Sequence, residues 1–137
     1  MVALNAVAQV FAGLAAMVYV LAFVGETLLF RRPGVHQGIF RIPSEDVPTV
    51  RLWSFCQGFY NLFLASGTVI GLVALHNGNE AVGRALVLYT CAYMALAGVV
   101  LTISDRMALS RPTGSGLGGA AWATAPPLVA LIAAVAS

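Results

Sequence analysis

The sequence predicts an all-α membrane protein, a single domain over residues 1–137 built as a bundle of four transmembrane helices. The chain is 60% hydrophobic and only 9% charged, whereas soluble domains carry about 25% charged residues. Its mean hydropathy is +0.90, which leaves too little polar surface to face water. Four long apolar segments alternate with connections that hold most of the charges, and this length suits one domain.

The first predicted span covers residues 3–30. Its ionisable side chains are Tyr19 and Glu26. A helix of this length reaches about 40 Å, enough to cross a hydrocarbon core of about 30 Å with some tilt. The charges, proline and glycine of residues 31–34 end the span.

The connection 31–51 is the longest one, and its apolar residues suggest a long loop along the membrane surface. Ser44, followed by two acidic residues, favours a helix start there. The second span is predicted over residues 52–75. It contains Gly67 and Gly71 in a GxxxG pattern, which lets another helix approach closely, so we expect a homodimer contact at these two glycines.

The third and fourth spans are predicted over residues 85–104 and 116–135. The fourth contains Pro126 and Pro127, which remove two backbone donors and are expected to kink the helix. In lipid, the carbonyls freed in this way need donors from a neighbouring side chain or a water.

Arginines give the orientation. Six of the seven lie in the connections 31–51 and 105–115, and Arg84 is the seventh. The positive-inside rule then places these two connections in the cytoplasm and both termini outside.

Polar side chains from all four spans are expected at one depth, in the cytoplasmic half of the bundle. Gln57 and Asn61 share a helix face because they lie four residues apart, with Tyr60 beside them. The candidates for a polar, ligand-binding pocket are Glu26, Gln57, Tyr60, Asn61, Ser104 and Trp122, and Thr102 and Thr124 lie at the same level.

Glu26 is the most informative of these, because an acidic group within a span is costly and usually faces the bundle interior. It could be ionised and paired with Arg51 or Arg106. It could instead be protonated and hydrogen-bonded to Gln57 or Asn61, since burial disfavours the charge. Its role is then a proton or cation site, a general acid or base, or a structural clasp between two helices.

Other kinds of site find no support in the sequence. It contains no nucleophile–base arrangement, phosphate-binding loop or cysteine–histidine cluster, so we predict no catalytic residue, metal or cofactor. Cys56 and Cys91 are expected as buried free thiols, and His36 and His76 as solvated loop residues. The net charge of +2 does not indicate nucleic acid, which leaves the lipid bilayer as the partner and the ligand unknown.

The run Cys56-Gln57-Gly58-Phe59-Tyr60-Asn61-Leu62-Phe63-Leu64-Ala65-Ser66-Gly67 resembles the stretch Asn-Gln-Gly-Leu-Tyr-Asn-x-Phe-Leu-Ala-x-Gly of the DUF1304 family. Glu26 matches a glutamate near the end of that family's first span. Ile39-Phe40 and Ala97-Gly98 match weaker features. The resemblance covers nearly the whole chain and implies a four-span protein of a bacterial inner membrane, with unknown function.

The chain departs from the family pattern at three places. Cys56 replaces the leading asparagine of the run, and Tyr19 falls near the position where members often carry a histidine. Ala123 and Thr124 precede Pro126 where the family has Gln-Gly. If those positions bind a ligand in the family, this chain lacks part of the site.

Three functions remain open. The first is binding or transport of a small or amphipathic solute, with transport requiring a homodimer or larger assembly. The second is a structural or accessory subunit of a membrane complex. The third is a small intramembrane enzyme with Glu26 as acid or base. The convergence of polar groups from four helices favours the first.

Overall fold

The computed structural model describes residues 4–137. These residues form helices and the connections between them, and they contain no strand. The predicted start of the first span at residue 3 therefore lies outside the described residues. The elements are α1 (Ala6–Phe23), extended by a π-helical turn (Val24–Leu28), α2 (Pro33–His36), a 3-10 turn (Ser44–Asp46), α3 (Val47–His76), α4 (Glu80–Arg106) and α5 (Leu117–Val135). Four of these helices are long and apolar enough to cross a membrane, which confirms the all-helical part of the prediction and the number of candidate spans.

The four long helices form a bundle in which each packs against two others. Both α1 and α4 lie between α3 and α5, and α1 and α4 face each other across the diagonal. The residue before α1 meets Ser137 at one end of the bundle, where the backbone N–H of Asn5 donates to Oγ of Ser137 (3.0 Å). The Asn5 amide also donates to the carbonyl of Ala133 (2.8 Å).

Small residues fill the interior of the bundle, and large apolar residues cover its outside. On α1 the buried stripe is made of Ala8, Ala12, Ala15 and Ala16, whose spacing of three and four residues follows one helix face. Val10 and Leu21 on the same helix are 65% and 63% exposed. Such an outward display of bulky apolar side chains suits a lipid environment, where small residues let helices approach.

Gly67 and Gly71 lie against α4 of the same chain. A Cβ added at Gly71 would lie 2.9 Å from Cβ of Leu86 and 3.1 Å from the carbonyl of Gly83, and one at Gly67 would lie 3.1 Å from Thr90. The GxxxG pattern therefore serves the packing of α3 on α4. Within the single chain these glycines face α4, and the homodimer contact expected there stays a prediction.

The connection between the first two spans is shorter and more structured than the sequence indicates. The helix α3 begins at Val47 rather than at residue 52, directly after the Ser44–Asp46 turn. His36 in α2 is 3% exposed, and its Nδ1 lies 2.9 Å from the carbonyl of Ile42. The prediction of a solvated His36 in a long surface loop is therefore wrong, because this segment folds back and packs on Phe30.

The proline pair lies inside α5, buried against the rest of the bundle. Because Pro127 has no N–H, the carbonyl of Ala123 lacks its helical donor. The Tyr19 hydroxyl lies 3.4 Å from this carbonyl and 3.0 Å from that of Met94. Tyr19 thus connects α1 to both α4 and α5, and supplies a donor of the kind expected for the freed carbonyls.

Candidate functional site

The last turn of the first span is π-helical, and it carries Glu26 and Thr27. The backbone N–H of Leu29 donates to the carbonyl of Val24 (2.9 Å), the five-residue spacing of a π-turn. Such turns occur mostly as single bulges, often at functional sites. Here the bulge turns Thr27 and Glu26 towards the start of α3.

Two backbone-directed hydrogen bonds join this turn to α3. The Thr27 hydroxyl donates to the carbonyl of Phe55 (3.0 Å), and the Ser54 hydroxyl donates to the carbonyl of Glu26 (2.6 Å). Gly58 makes the approach possible, because a Cβ there would collide with Oγ1 of Thr27 and lie 3.2 Å from its backbone nitrogen.

Three side chains form a hydrogen-bonded row beside this junction. The Gln57 amide donates to Oδ1 of Asn61 (3.4 Å), and the Asn61 amide donates to Oε2 of Glu26 (2.8 Å). Asn61 is 9% exposed and Glu26 is half-buried. Of the partners considered for Glu26, Asn61 is the one the structure provides, and no arginine pairs with Glu26 in residues 4–137.

Glu26 faces a cavity of about 610 Å³ at this end of the bundle. Its walls come from the end of α1, the start of α3, the end of α4 and the two connections at this end. Eight of the lining residues are apolar or aromatic: Phe30, Phe40, Ile42, Val50, Leu52, Trp53, Tyr60 and Leu109. The others are Glu26, Ser54, Cys56, Gln57, Ser104, Ser110 and Arg111.

The structure brings most of the predicted site residues together. Glu26, Gln57, Tyr60 and Ser104 line the cavity, and Asn61 binds Glu26 beside it. Tyr60 is 59% exposed, so it lies at the open side.

Trp122 does not belong to this group. It is 64% exposed and lines a separate apolar groove of about 260 Å³ beside Phe11 and Leu14. The hydroxyls of Thr102 and Thr124 bond to carbonyls of their own helices. The expected convergence from four helices is therefore corrected, since the described part of α5 contributes no lining residue.

A second groove of about 520 Å³ adjoins the cavity and runs between α3 and α4. Gln57 and Ser104 line both spaces. The other residues of the groove all belong to α4 and are Tyr93, Leu96, Ala97, Val100 and Leu101. A polar end and an apolar extension are therefore continuous along the outside of the bundle.

Asp105 holds the connection before α5. It is 1% exposed, and its two carboxylate oxygens accept from the backbone N–H groups of Gly114 and Gly116, each at 2.8 Å. Arg111 lies beside the same turn, and its Nη1 donates to the carbonyl of Phe40 (3.4 Å). These contacts tie the two connections at this end together and fix one wall of the cavity.

The sequence reasoning missed Arg111, Ser54 and the aromatic wall. In the sequence, Arg111 contributes only to the arginine bias that predicts the orientation. Phe40 is only one of the weaker features that match the family. No sequence pattern marks this wall, because it forms only once both connections are folded. Arg41 (φ 60°) and Ser110 (φ 62°) in these connections adopt the left-handed backbone. Arg51 lies outside the lining. Its Nη1 is the one buried side-chain nitrogen or oxygen without a hydrogen-bond partner in the described chain.

In residues 4–137 no three histidine, cysteine or acidic side chains are grouped as metal ligands. Both Cys56 and Cys91 are free thiols, half-buried and buried respectively.

Comparison with known proteins gives a family and no function. No curated protein and no solved structure matches the chain. Residues 13–135 match the family described as "Protein of unknown function (DUF1304)". This match covers most of the chain, including the whole of the cavity, and the chain therefore belongs to the DUF1304 family.

Proposed function

We propose that this protein binds a small amphipathic solute in the cavity beside Glu26. The observation that carries the proposal is the combination of a cavity of about 610 Å³ with a mixed lining. Small-molecule sites usually measure about 300–1,000 Å³ and combine apolar walls with a few polar groups that orient the ligand. Glu26, Gln57, Ser54 and Ser104 supply such groups here.

The adjoining groove supports an amphipathic rather than a fully polar ligand. Its lining between α3 and α4 is apolar except for Gln57, Ser104 and the hydroxyl of Tyr93. A polar head in the cavity and an apolar tail in the groove would each meet matching surface. Such a ligand would reach the site sideways from the bilayer, since large apolar side chains surround the groove.

We propose the orientation from the arginine distribution. Both termini lie outside the cell and the cavity lies on the cytoplasmic side, in a bacterial inner membrane. Cysteines introduced by Thr49→Cys and Asn77→Cys, each combined with Cys56→Ser, test this in sealed vesicles with a membrane-impermeant maleimide. The proposal requires Thr49→Cys to react from the cytoplasmic side and Asn77→Cys from the outside, and the reverse pattern would overturn it.

Transport is a further step of the same proposal, and it needs more than one copy of the chain. Four spans do not easily enclose a path. Transport therefore requires a homodimer or larger assembly, and the oligomeric mass in nanodiscs would detect it.

A structural or accessory subunit is the second candidate function. The hydrogen bonds of Asn61, Ser54 and Thr27 all join α1 to α3, so the same polar groups would serve as an internal clasp. In that case the cavity would take no ligand.

Cys56 provides a direct test of ligand binding, because it is a free thiol in the cavity wall, while Cys91 is 0% exposed. The protein in neutral-lipid nanodiscs is treated with N-ethylmaleimide, and mass spectrometry follows each thiol. The probes are decanol, decanoate and decyltrimethylammonium. We expect at least one of them to slow the alkylation of Cys56.

The matched control is an exposed thiol at the same end of the bundle and outside the cavity. Thr49 is exposed, so Thr49→Cys combined with Cys56→Ser reports unspecific effects of the probes on the bilayer. Equal slowing at both thiols, or no slowing by any of the three probes, would contradict ligand binding in this cavity.

A further inference from the structure

We infer that the ligand of this cavity carries a cationic head group, for which Glu26 is the counter-ion. This inference rests on the proposed function and names the chemical class of its ligand. The two carboxylate oxygens of Glu26 differ in their hydrogen bonds. Oε2 accepts from Asn61, whereas Oε1 has no hydrogen-bond donor among the described residues and is not enclosed by protein atoms.

The carboxylate also has no cationic partner within residues 4–137. An acidic group in a membrane span is costly unless it meets a partner or water. Glu26 lies in the lining of an open cavity, so a ligand can supply the missing charge. Its position on a rigid junction, fixed by Ser54 and Thr27, keeps the oxygen in place for such a contact.

Arg111 is the other charged residue of the lining, and the protein already uses it. Its Nη1 donates to the carbonyl of Phe40. A Cβ placed at Gly116 would lie 2.8 Å from Cζ of Arg111 and 3.0 Å from Oδ1 of Asp105, so the guanidinium and this carboxylate are neighbours. The positive charge of Arg111 thus has an acidic neighbour in its own wall, whereas the negative charge of Glu26 has no cationic neighbour among the described residues.

The aromatic residues of the lining fit the same ligand class. Trp53, Tyr60, Phe30 and Phe40 all line the cavity, and aromatic faces attract ammonium groups within about 6 Å of the ring centre. A carboxylate in the same lining as these aromatic side chains therefore favours an organic cation over a neutral or anionic head. The apolar groove next to Gln57 and Ser104 suits its hydrocarbon part.

The charge series of decyl amphiphiles tests this inference on the unmodified protein. All three probes share one tail, so their ranking reports the head group. We expect decyltrimethylammonium to slow Cys56 alkylation at a concentration about tenfold lower than decanol, with decanoate weakest. A cationic bilayer surface would favour the reactive thiolate, so slowing by this probe cannot arise from surface charge.

Substitution of Glu26 gives the second arm. Glu26→Gln removes the charge but keeps an oxygen that can accept from Asn61. We expect the preference for the cation to disappear in this variant. Glu45→Gln is the matched control, because Glu45 is exposed at the same end of the bundle and outside the lining, and it should keep the preference.

The outcomes separate the two proposals. Protection by all three probes at similar concentrations, or a preference for the cation that survives Glu26→Gln, would overturn the cationic class and leave ligand binding standing. Strongest protection by decanoate would assign the cavity to anions and also overturn it. Protection by no probe would overturn both. The ranking on the unmodified protein decides the matter even if Glu26→Gln does not fold.

Discussion

The Asn61 amide binds Oε2 of Glu26 at 2.8 Å, so a carboxylate of the first span is held directly by the helix that follows it. This contact lies beside the cavity, at the junction between the π-helical turn after α1 and the helix α3. The same pair therefore serves helix packing and the presentation of a charge. Stability and ligand binding can be separated experimentally because different atoms of Glu26 are involved.

Asn61→Ala should destabilise the fold modestly. Polar cross-links between membrane helices average about 0.6 kcal/mol and reach about 1.7 kcal/mol, and we expect a loss in this range. Glu26→Gln should cost less, because the new amide oxygen still accepts from Asn61. Reversible unfolding in mixed detergent micelles measures both, with the exposed Asn77→Ala as control. A larger loss for Glu26→Gln than for Asn61→Ala would contradict this account.

Gly58→Ala should be more harmful than an ordinary glycine substitution. The added Cβ would collide with Oγ1 of Thr27, and overpacking of this kind costs about 1–3 kcal/mol. The control is Gly118→Ala, where a Cβ meets nothing within 4 Å and helix propensity favours alanine. Adding Thr27→Ala to Gly58→Ala should recover part of the loss, and strict additivity of the two changes would argue against the collision.

Tyr19→Phe should lower stability by about 1 kcal/mol, the usual contribution of one hydrogen bond. The single hydroxyl proton is shared between the carbonyls of Met94 (3.0 Å) and Ala123 (3.4 Å), so the substitution also removes the donor at the proline pair. Pro127→Ala restores a backbone N–H to that carbonyl, so Tyr19→Phe should cost less in that background. Tyr89→Phe, at a side chain that is 70% exposed, is the control. Equal costs of Tyr19→Phe with and without Pro127 would refute the link.

Asp105→Ala should lower the thermal midpoint and expose the connection before α5 to protease. Both carboxylate oxygens bind backbone N–H groups, and alanine replaces neither. Asp105→Asn should fall between, because its side chain offers one acceptor oxygen for two donors. Asp46→Ala is the control, since that side chain makes no capping bond. An unchanged midpoint in Asp105→Ala would show that this turn holds without its carboxylate.

The sequence predicts the four helices well, because long apolar runs and the charges that end them are local signals. It also indicates the Glu26–Asn61 contact, since two polar groups in apolar spans have few other partners. The depth of a residue along its span follows from counting. The direction of its side chain around the helix axis does not follow from counting. The prediction that Trp122 lines the cavity was wrong for this reason.

The rotation of α5 is set by packing rather than by polarity. Ala120, Pro127 and Ala130 form its buried face, so Trp122 points outward at the correct depth. The prediction of a solvated His36 was wrong for a related reason. The burial of His36 depends on residues 37–42, which fold back over Phe30. No local pattern contains that return, and Arg111 joins the same wall only after both connections are folded.

The π-turn at Val24–Leu28 makes the length of the first span a determinant of its chemistry. Removal of one residue before Glu26 in this turn would allow a plain α-helix, which would still be long enough to cross the bilayer. Every side chain on one side of the deletion would then rotate by roughly 100° relative to the other. Relatives of this chain with and without that single residue would share a topology and a hydropathy profile, yet only one group would aim its carboxylate at Asn61.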